Sequence, residues 1–311
     1  MKILIPNTIE LSLRSDAEVV VYDVAADIPA EHRDAEVLVV WQNPAPQLAR
    51  AAQHLTAPRL VQTLAAGPDV VVAAGFAPEV PICSGRSLHD GPVAEHALAL
   101  VLGAVRRLDL LRDAQHERRW DRDFVAAQVA PDTRAQYTLA GARVTIWGFG
   151  SIAARLAPML RLLGAEVRGI ARSAGIRSGV EVAAEADAGE VLAGTDVLVS
   201  LVPATAETTD LFDASVFGML KPAAVFVNVG RGATVDEDAL LEALATGQLR
   251  TAALDVMKAE PLPEDSPLWT TPGLVLTPHV AGNRPVGGAD LVDANVARLL
   301  AGDPLVNEVR R

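Results

Sequence analysis

VTIWGFGSIAARL, residues 144–156, is the stretch whose reading decides the fold. Val144 to Trp147 have the β-branched and aromatic character of a buried strand, and two glycines then interrupt the run. An apolar pattern of helical spacing follows, predicting Ile152, Leu156, Met159, Leu160 and Leu163 on one face before Gly164 ends the helix. Gly148, Gly150 and Ala153 thus form G-x-G-x-x-A between a strand and a helix. Gly148 permits the tight turn, Gly150 lets a pyrophosphate approach bare backbone, and Ala153 lets the helix pack closely on the strand. Phosphate is expected on the N–H groups at the helix start, beside Phe149, Ser151 and Ile152.

Outward from this turn, ARVTIW, EVRGIA, DVLVSLV, AAVFVNV, TAALDV and LVLTPH read as strands, with helical segments such as DEDALLEALATG between them. The alternation predicts a doubly wound parallel sheet. The first hundred residues give a second, smaller α/β unit from KILIP, EVVVYDV, EVLVVW, RLVQTLAA and VPICSG, whose apolar runs are continuous rather than alternating. Between the two, residues 90–107 read as a helix with Asp90 as N-cap and Pro92 near its first position. The arginine-rich stretch that follows, to about residue 140, is either a solvated helix and loop or a subunit contact.

The acid that usually grips the adenosine ribose, about 20 residues past the turn, is missing. Ala171 and Arg172 stand there, followed by Ser173. A carboxylate would bind a free 2′-hydroxyl and repel a 2′-phosphate, whereas a guanidinium grips that phosphate. NADP(H) is therefore expected in preference to NAD(H), with NAD(H) possible as a second cofactor. The alternative is an Arg172 that points to solvent and a weak preference.

The chain has 311 residues, half of them hydrophobic, and a formal charge of −12. That size suits two domains, and that charge disfavours nucleic acid and anionic membranes as partners. One cysteine, Cys83, excludes a disulfide framework and a multi-thiolate metal site, and no metal is expected. Cys83 reads as a small buried residue at a strand end. The apolar start MKILIPNTIE is too short for a signal peptide, and VAEHALALVLGAV carries Glu95 and His96, so a cytoplasmic location is expected.

Ligands of a doubly wound sheet bind beyond the carboxyl ends of its strands. Arg231, Glu260 and His279 fall at or just past three such ends. A guanidinium can hold a substrate carboxylate and polarise its carbonyl, and an imidazolium can protonate the carbonyl oxygen as hydride arrives. A carboxylate beside the imidazole favours the protonated ring and orients it. This trio suits reduction of a small 2-oxo acid to a 2-hydroxy acid. His32, His54, His89, His96 and His116 have no such company and read as structural.

The second half resembles the D-isomer-specific 2-hydroxyacid dehydrogenases. LVPATAETTDLFD (201–213), VNVGRGATVDEDALLEAL (227–244), LDVMKAEPLPEDSPLW (254–269) and LTPHVAG (276–282) match that family's cofactor loop and its arginine, glutamate and histidine signatures in order. The resemblance implies substrate binding by Arg231, acid/base work by His279 and Glu260 as its partner. It also implies cofactor contacts from Val202, Pro203, Thr208, Val229, Gly230 and Asp255, the last near the nicotinamide carboxamide unless it is purely structural. TLAAGPD (63–69) resembles the substrate loop, implying that the N–H groups of Ala66 and Gly67 bind the substrate carboxylate opposite Arg231; an ordinary turn is the alternative. ANVARLLAGDPLVNEV (294–309) resembles the terminal segment that returns to the substrate domain. The resemblance thus implies a flavodoxin-like substrate domain of residues 1–96 and 284–311, a Rossmann domain of 97–283, a hinged cleft and a homodimer. The Ala171–Arg172 pair is similar to that of the NADPH-preferring glyoxylate/hydroxypyruvate reductases. Two other outcomes stay open: a nucleotide-sensing corepressor of the same fold and a phosphoglycerate-type dehydrogenase. Trp41 and Asn43, after a strand end, are either substrate-lining or packing residues.

Overall fold

The computed structural model describes residues 1–310. Its chain gathers into two compact units, residues 1–89 with the segment from Asn283 onward, and Asp90–Gly282. The divisions thus fall at 89/90 and 282/283 rather than at the expected 96/97 and 283/284. Asp90–Val105 is one unbroken helix whose Val93, Ala94, Ala97, Val101 and Ala104 are buried in the core of the second unit, so the helix belongs there whole. Asp90 is its first residue rather than its cap, and Pro92 sits in the first turn, where a missing N–H costs nothing.

In the first unit, β1 (Lys2–Pro6), β2 (Glu18–Tyr22), β3 (Val37–Val40), β4 (Leu60–Thr63) and β5 (Ile82–Cys83) form a parallel sheet of order β2-β1-β3-β4-β5. This is the flavodoxin-like order. Alternate residues serve opposite faces, as the pleat requires. Leu4, Leu38, Val40, Val61 and Ile82 pack with Leu48 and Ala51 of the helix Ala45–His54. Ile3, Ile5, Val37, Val39 and Leu60 pack instead with Leu291, Val292 and Val296 of the helix Gly288–Ala301. The last segment is also stitched in by polar groups, because fully buried Asn295 donates to Gln62 Oε1 (2.6 Å) and accepts from the Val306 N–H (2.7 Å). Cys83 is buried on β5, and burial pushes its thiol up to about 12.

The second unit contains β6 (Arg143–Trp147), β7 (Glu166–Ala171), β8 (Gly175–Arg177), β9 (Val180–Ala184), β10 (Val197–Ser200), β11 (Ala224–Asn228), β12 (Leu249–Leu254) and β13 (Leu274–Leu276). Their order is β13-β12-β11-β10-β6-β7-β9-β8, parallel except for β8. The order reverses between β6 and β10, the switch point at which such sheets bind ligands. The hairpin β8–β9 was not anticipated, because its strands are short and half exposed. The helix Ser151–Leu162 buries Ala153, Leu156, Ala157 and Leu160, with Ile152 half buried against the same core, whereas Met159 and Leu163, expected on that face, are exposed. Small Ala153 and Ala157 lie against Ala94, Ala97 and Val101, so close approach rather than bulk selects the buried side. No helix among the described residues is long and apolar enough to cross a membrane.

Candidate active site

The glycine turn follows β6 at the switch point. Gly148 has φ +95°, and a Cβ there would stand 2.6 Å from the Leu201 backbone, so only glycine fits. Gly150 differs, because a Cβ there would meet nothing within 4 Å. No neighbour in the protein demands a glycine at that point, which leaves the space above it for a group from outside. The helix that begins at Ser151 has no side-chain cap, so its first N–H groups face the same space. These features fit a dinucleotide pyrophosphate.

Phe149 takes a different part from the one expected. Its ring is buried against Gly169 of β7, where a Cβ would approach the ring to 2.5 Å, so only its backbone is available to a ligand. Ser151 is exposed and Ile152 half buried against the core. Ala171 closes β7 as a buried residue, with Arg172 and Ser173 exposed beyond it. Val202 and Val229 are buried in the core after β10 and β11. Pro203 and Thr208 belong to a loop in which the Thr208 hydroxyl donates to the Pro203 carbonyl (2.7 Å) and accepts from the Thr205 N–H (2.8 Å). Gly230 donates its N–H to Asn228 Oδ1 (3.0 Å), and a Cβ there would stand 2.6 Å from the Val202 carbonyl.

Arg231, Glu260 and His279 follow β11, β12 and β13, three successive neighbours in the sheet. His279 Nδ1 donates to Glu260 Oε2 at 2.6 Å, and Glu260 Oε1 accepts the Met257 N–H at 3.0 Å. The carboxylate is thereby fixed from its own loop and fixes the ring in turn, leaving Nε2 as the outward nitrogen. Half of the His279 side chain is exposed, 47% against 33% for Glu260. Arg231 is half buried, and its Nη1 donates to the Gly230 carbonyl at 2.7 Å. No carboxylate pairs with Arg231 among the described residues, so its charge stays available to an anion.

His279 occupies the left-handed region, φ +51°. Such a conformation in a non-glycine residue persists only where its surroundings impose it. Here Asp255 imposes it. The Asp255 carbonyl accepts the His279 N–H (2.8 Å), and its buried carboxylate accepts the N–H groups of Val280 and Ala281 (3.0 Å each) and the Thr277 hydroxyl (2.6 Å). Of the two roles open to Asp255, the structural one is visible: it builds the turn that presents His279. His96 joins this group, with Nε2 3.0 Å from Thr277 Oγ1 and 3.3 Å from Asp255 Oδ1. It reads as merely structural in the sequence, and only the fold brings it to the turn that carries His279.

In the first unit, Ala66 and Gly67 lie just beyond β4, and their N–H groups have no acceptor among the described residues. His89 stacks on Trp41 with ring centroids 5.4 Å apart and meets the Leu64 carbonyl at 2.7 Å. Asn43 accepts the Trp41 N–H (2.9 Å) and donates to Tyr22 Oη (2.7 Å), so both residues that were candidates for substrate lining also serve packing. No cluster of three metal-ligating side chains occurs among the described residues.

The profile of the D-isomer specific 2-hydroxyacid dehydrogenase NAD binding domain matches residues 98–281. The chain belongs to the D-isomer specific 2-hydroxyacid dehydrogenase family. Among members of this family of oxidoreductases, it is 33% identical over 290 residues to glyoxylate/hydroxypyruvate reductase A of Escherichia fergusonii, covering 90% of this chain and 88% of that one. The solved D-isomer specific 2-hydroxyacid dehydrogenase of Xanthobacter autotrophicus, in complex with NADPH and MES, superposes with a TM-score of 0.80 at 30% identity over 100% of this chain and 98% of that one. The NADPH-dependent glyoxylate/hydroxypyruvate reductase of Sinorhizobium meliloti, in complex with NADP and sulfate, gives 0.80 at 28% identity over 99% and 97%. The two-unit α/β architecture is thus that of 2-hydroxyacid dehydrogenases.

Proposed function

We propose that this dehydrogenase is an NADPH-preferring reductase of small 2-oxo acids of the glyoxylate/hydroxypyruvate type, forming the D-2-hydroxy acid. The observation that carries the reading is the 2.6 Å pair between His279 and Glu260, set at strand ends of the sheet that bears the glycine turn. The similarity to the Escherichia fergusonii and Sinorhizobium meliloti reductases supports the substrate class, and the NADPH and NADP in the two solved structures support the cofactor.

The first-turn N–H groups after Gly150 hold the pyrophosphate, and Arg172 and Ser173 take the 2′-phosphate. A nicotinamide dinucleotide held by these residues would supply a hydride to a substrate carbonyl carbon. Arg231 attracts the substrate carboxylate and polarises the carbonyl; within the first unit, the unengaged N–H groups of Ala66 and Gly67 suit a carboxylate. His279, its Nδ1 held by Glu260, passes the Nε2 proton to the carbonyl oxygen, so a C–H and an O–H bond form as the C=O π bond is lost. NADPH pools favour this direction over oxidation.

A homodimer in the cytoplasm completes the reading. Leu108, Trp120, Val125 and Val129 expose apolar side chains on one segment, Trp120 at 84%, as a subunit contact does. Light scattering on the purified protein tests the dimer.

The test of function is NADPH and NADH oxidation by the purified protein against glyoxylate, hydroxypyruvate and phenylpyruvate. Turnover of at least one of the first two, with a higher kcat/KM for NADPH, is expected. Absence of turnover with every 2-oxo acid, or equal use of the two nucleotides, overturns the reading.

A further inference from the structure

Arg177 lies outside the glycine turn and outside the Ala171–Arg172–Ser173 stretch at and just past the end of β7. It closes β8, and the two-residue turn Ser178–Gly179, with φ +49° and +72°, leads straight into β9. Positive φ at both positions marks the tight hairpin turn whose twist matches that of its strands, so the place of Arg177 is fixed by backbone geometry. From there its guanidinium reaches back to two loops. Nη2 donates to the Ser173 carbonyl and to Ser173 Oγ, both at 2.8 Å, and Nη1 donates to the Phe149 carbonyl at 3.2 Å. Phe149 belongs to the glycine turn, and Ser173 to the loop that follows β7. The adenosine ribose of a dinucleotide lies between those two elements in this kind of sheet.

The chemistry of the partners matters as much as their position. All three acceptors are neutral, and among the described residues no carboxylate forms an ion pair with Arg177. Two carbonyls and a hydroxyl orient the guanidinium without cancelling its charge. A full positive charge is therefore held, already ordered, at the border of the ribose pocket, next to an Arg172 that is exposed. An ordered cation binds an anion more tightly than a mobile one, because less side-chain freedom is lost on binding.

We infer that Arg177 is a specificity-determining residue, the second cation of the 2′-phosphate site, acting both directly on the phosphate and by ordering Ser173. The inference rests on the NADPH preference proposed above and deepens it: discrimination is shared between an exposed arginine and one anchored on a hairpin.

The test uses Arg177→Gln, which can still donate to a carbonyl but carries no charge, and Arg177→Lys, which keeps the charge and loses the fork. The kcat/KM ratio of NADPH to NADH is measured for both and for wild type, together with the affinities of 2′,5′-ADP and 5′-AMP. Removing a charge-assisted contact is expected to lower the ratio about tenfold or more in the glutamine variant, with the lysine variant intermediate. The 2′,5′-ADP affinity should fall with the ratio, and the 5′-AMP affinity should hold. An unchanged ratio, or parallel losses with both nucleotides, overturns the inference and reduces Arg177 to a loop clamp. A wild type that favours NADPH beside an Arg177→Gln that favours it equally leaves the proposed function standing and removes this inference alone. A wild type without preference removes both.

Discussion

Gln62 and Arg231 stand near strand ends, one in each unit, and their surroundings differ. Gln62 is fully buried on β4, donates to the carbonyls of Thr63 (2.9 Å), Cys83 (3.2 Å) and Ser84 (3.3 Å), and accepts from Asn295. Both ends of its amide are engaged inside its own unit. Arg231 spends one nitrogen on a neighbouring carbonyl and has no carboxylate partner among the described residues. Both sheets are parallel, β8 apart, and covered on both faces, so the packing problem is the same. The difference is in what the strand ends leave unspent. In the first unit they leave backbone donors at Ala66 and Gly67, and in the second an arginine, an oriented histidine and an uncapped helix start. Chemistry is carried by what a fold leaves unsatisfied, and the scaffold alone does not assign it.

The comparison breaks most visibly at His279. His279→Ala should lower kcat by about 10²–10⁴-fold, while NADPH binding, followed by fluorescence titration, stays near wild type. A variant keeping most of its kcat would show that the proton comes from elsewhere. Arg231→Ala should cost about a hundredfold in kcat/KM for the oxo acid, because a charge-assisted carboxylate contact is lost. Steady-state kinetics at saturating NADPH reads this. Glu260→Gln keeps the shape beside His279 but not the charge, and a loss in kcat of about 10- to 100-fold is expected.

The first unit should respond to another kind of substitution. Asn295→Ala strands Gln62 and the Val306 N–H, a loss of about 1–3 kcal/mol for buried groups left without partners. Hydrogen exchange should show it as weaker protection across β4, with the second unit unaffected. If β10 and β11 lost protection equally, the units would not be energetically separate. The smallest effect is the reaction of Cys83: a buried thiol raised to about 12 should resist iodoacetamide in the native protein and react in urea.

Much of this was legible in the sequence wherever the signal is local. The glycine turn, the strand runs and the trio at the strand ends are each written in a few adjacent residues, and the alternation of strands and helices orders them. Three features were not. The buried face of the helix Ser151–Leu162 is set by Ala153 and Ala157, whose smallness permits contact, whereas a pattern of bulky residues pointed to Met159 and Leu163. His96 meets Asp255 and Thr277 across a large stretch of chain, and no spacing rule connects them. Arg177 takes its place from a hairpin of short, half-exposed strands, which carry little hydrophobic signal.

The helix Gly288–Ala301 covers one face of a sheet whose strands all lie within the first 83 residues. During translation, Ile3, Ile5, Val37 and Val39 therefore emerge long before their cover does, and the whole of Asp90–Gly282 is made in the interval. A chain cut short after residue 282 and released should carry a finished second unit beside a half-clothed sheet, a state that invites chaperones in a cell and clumping in a test tube.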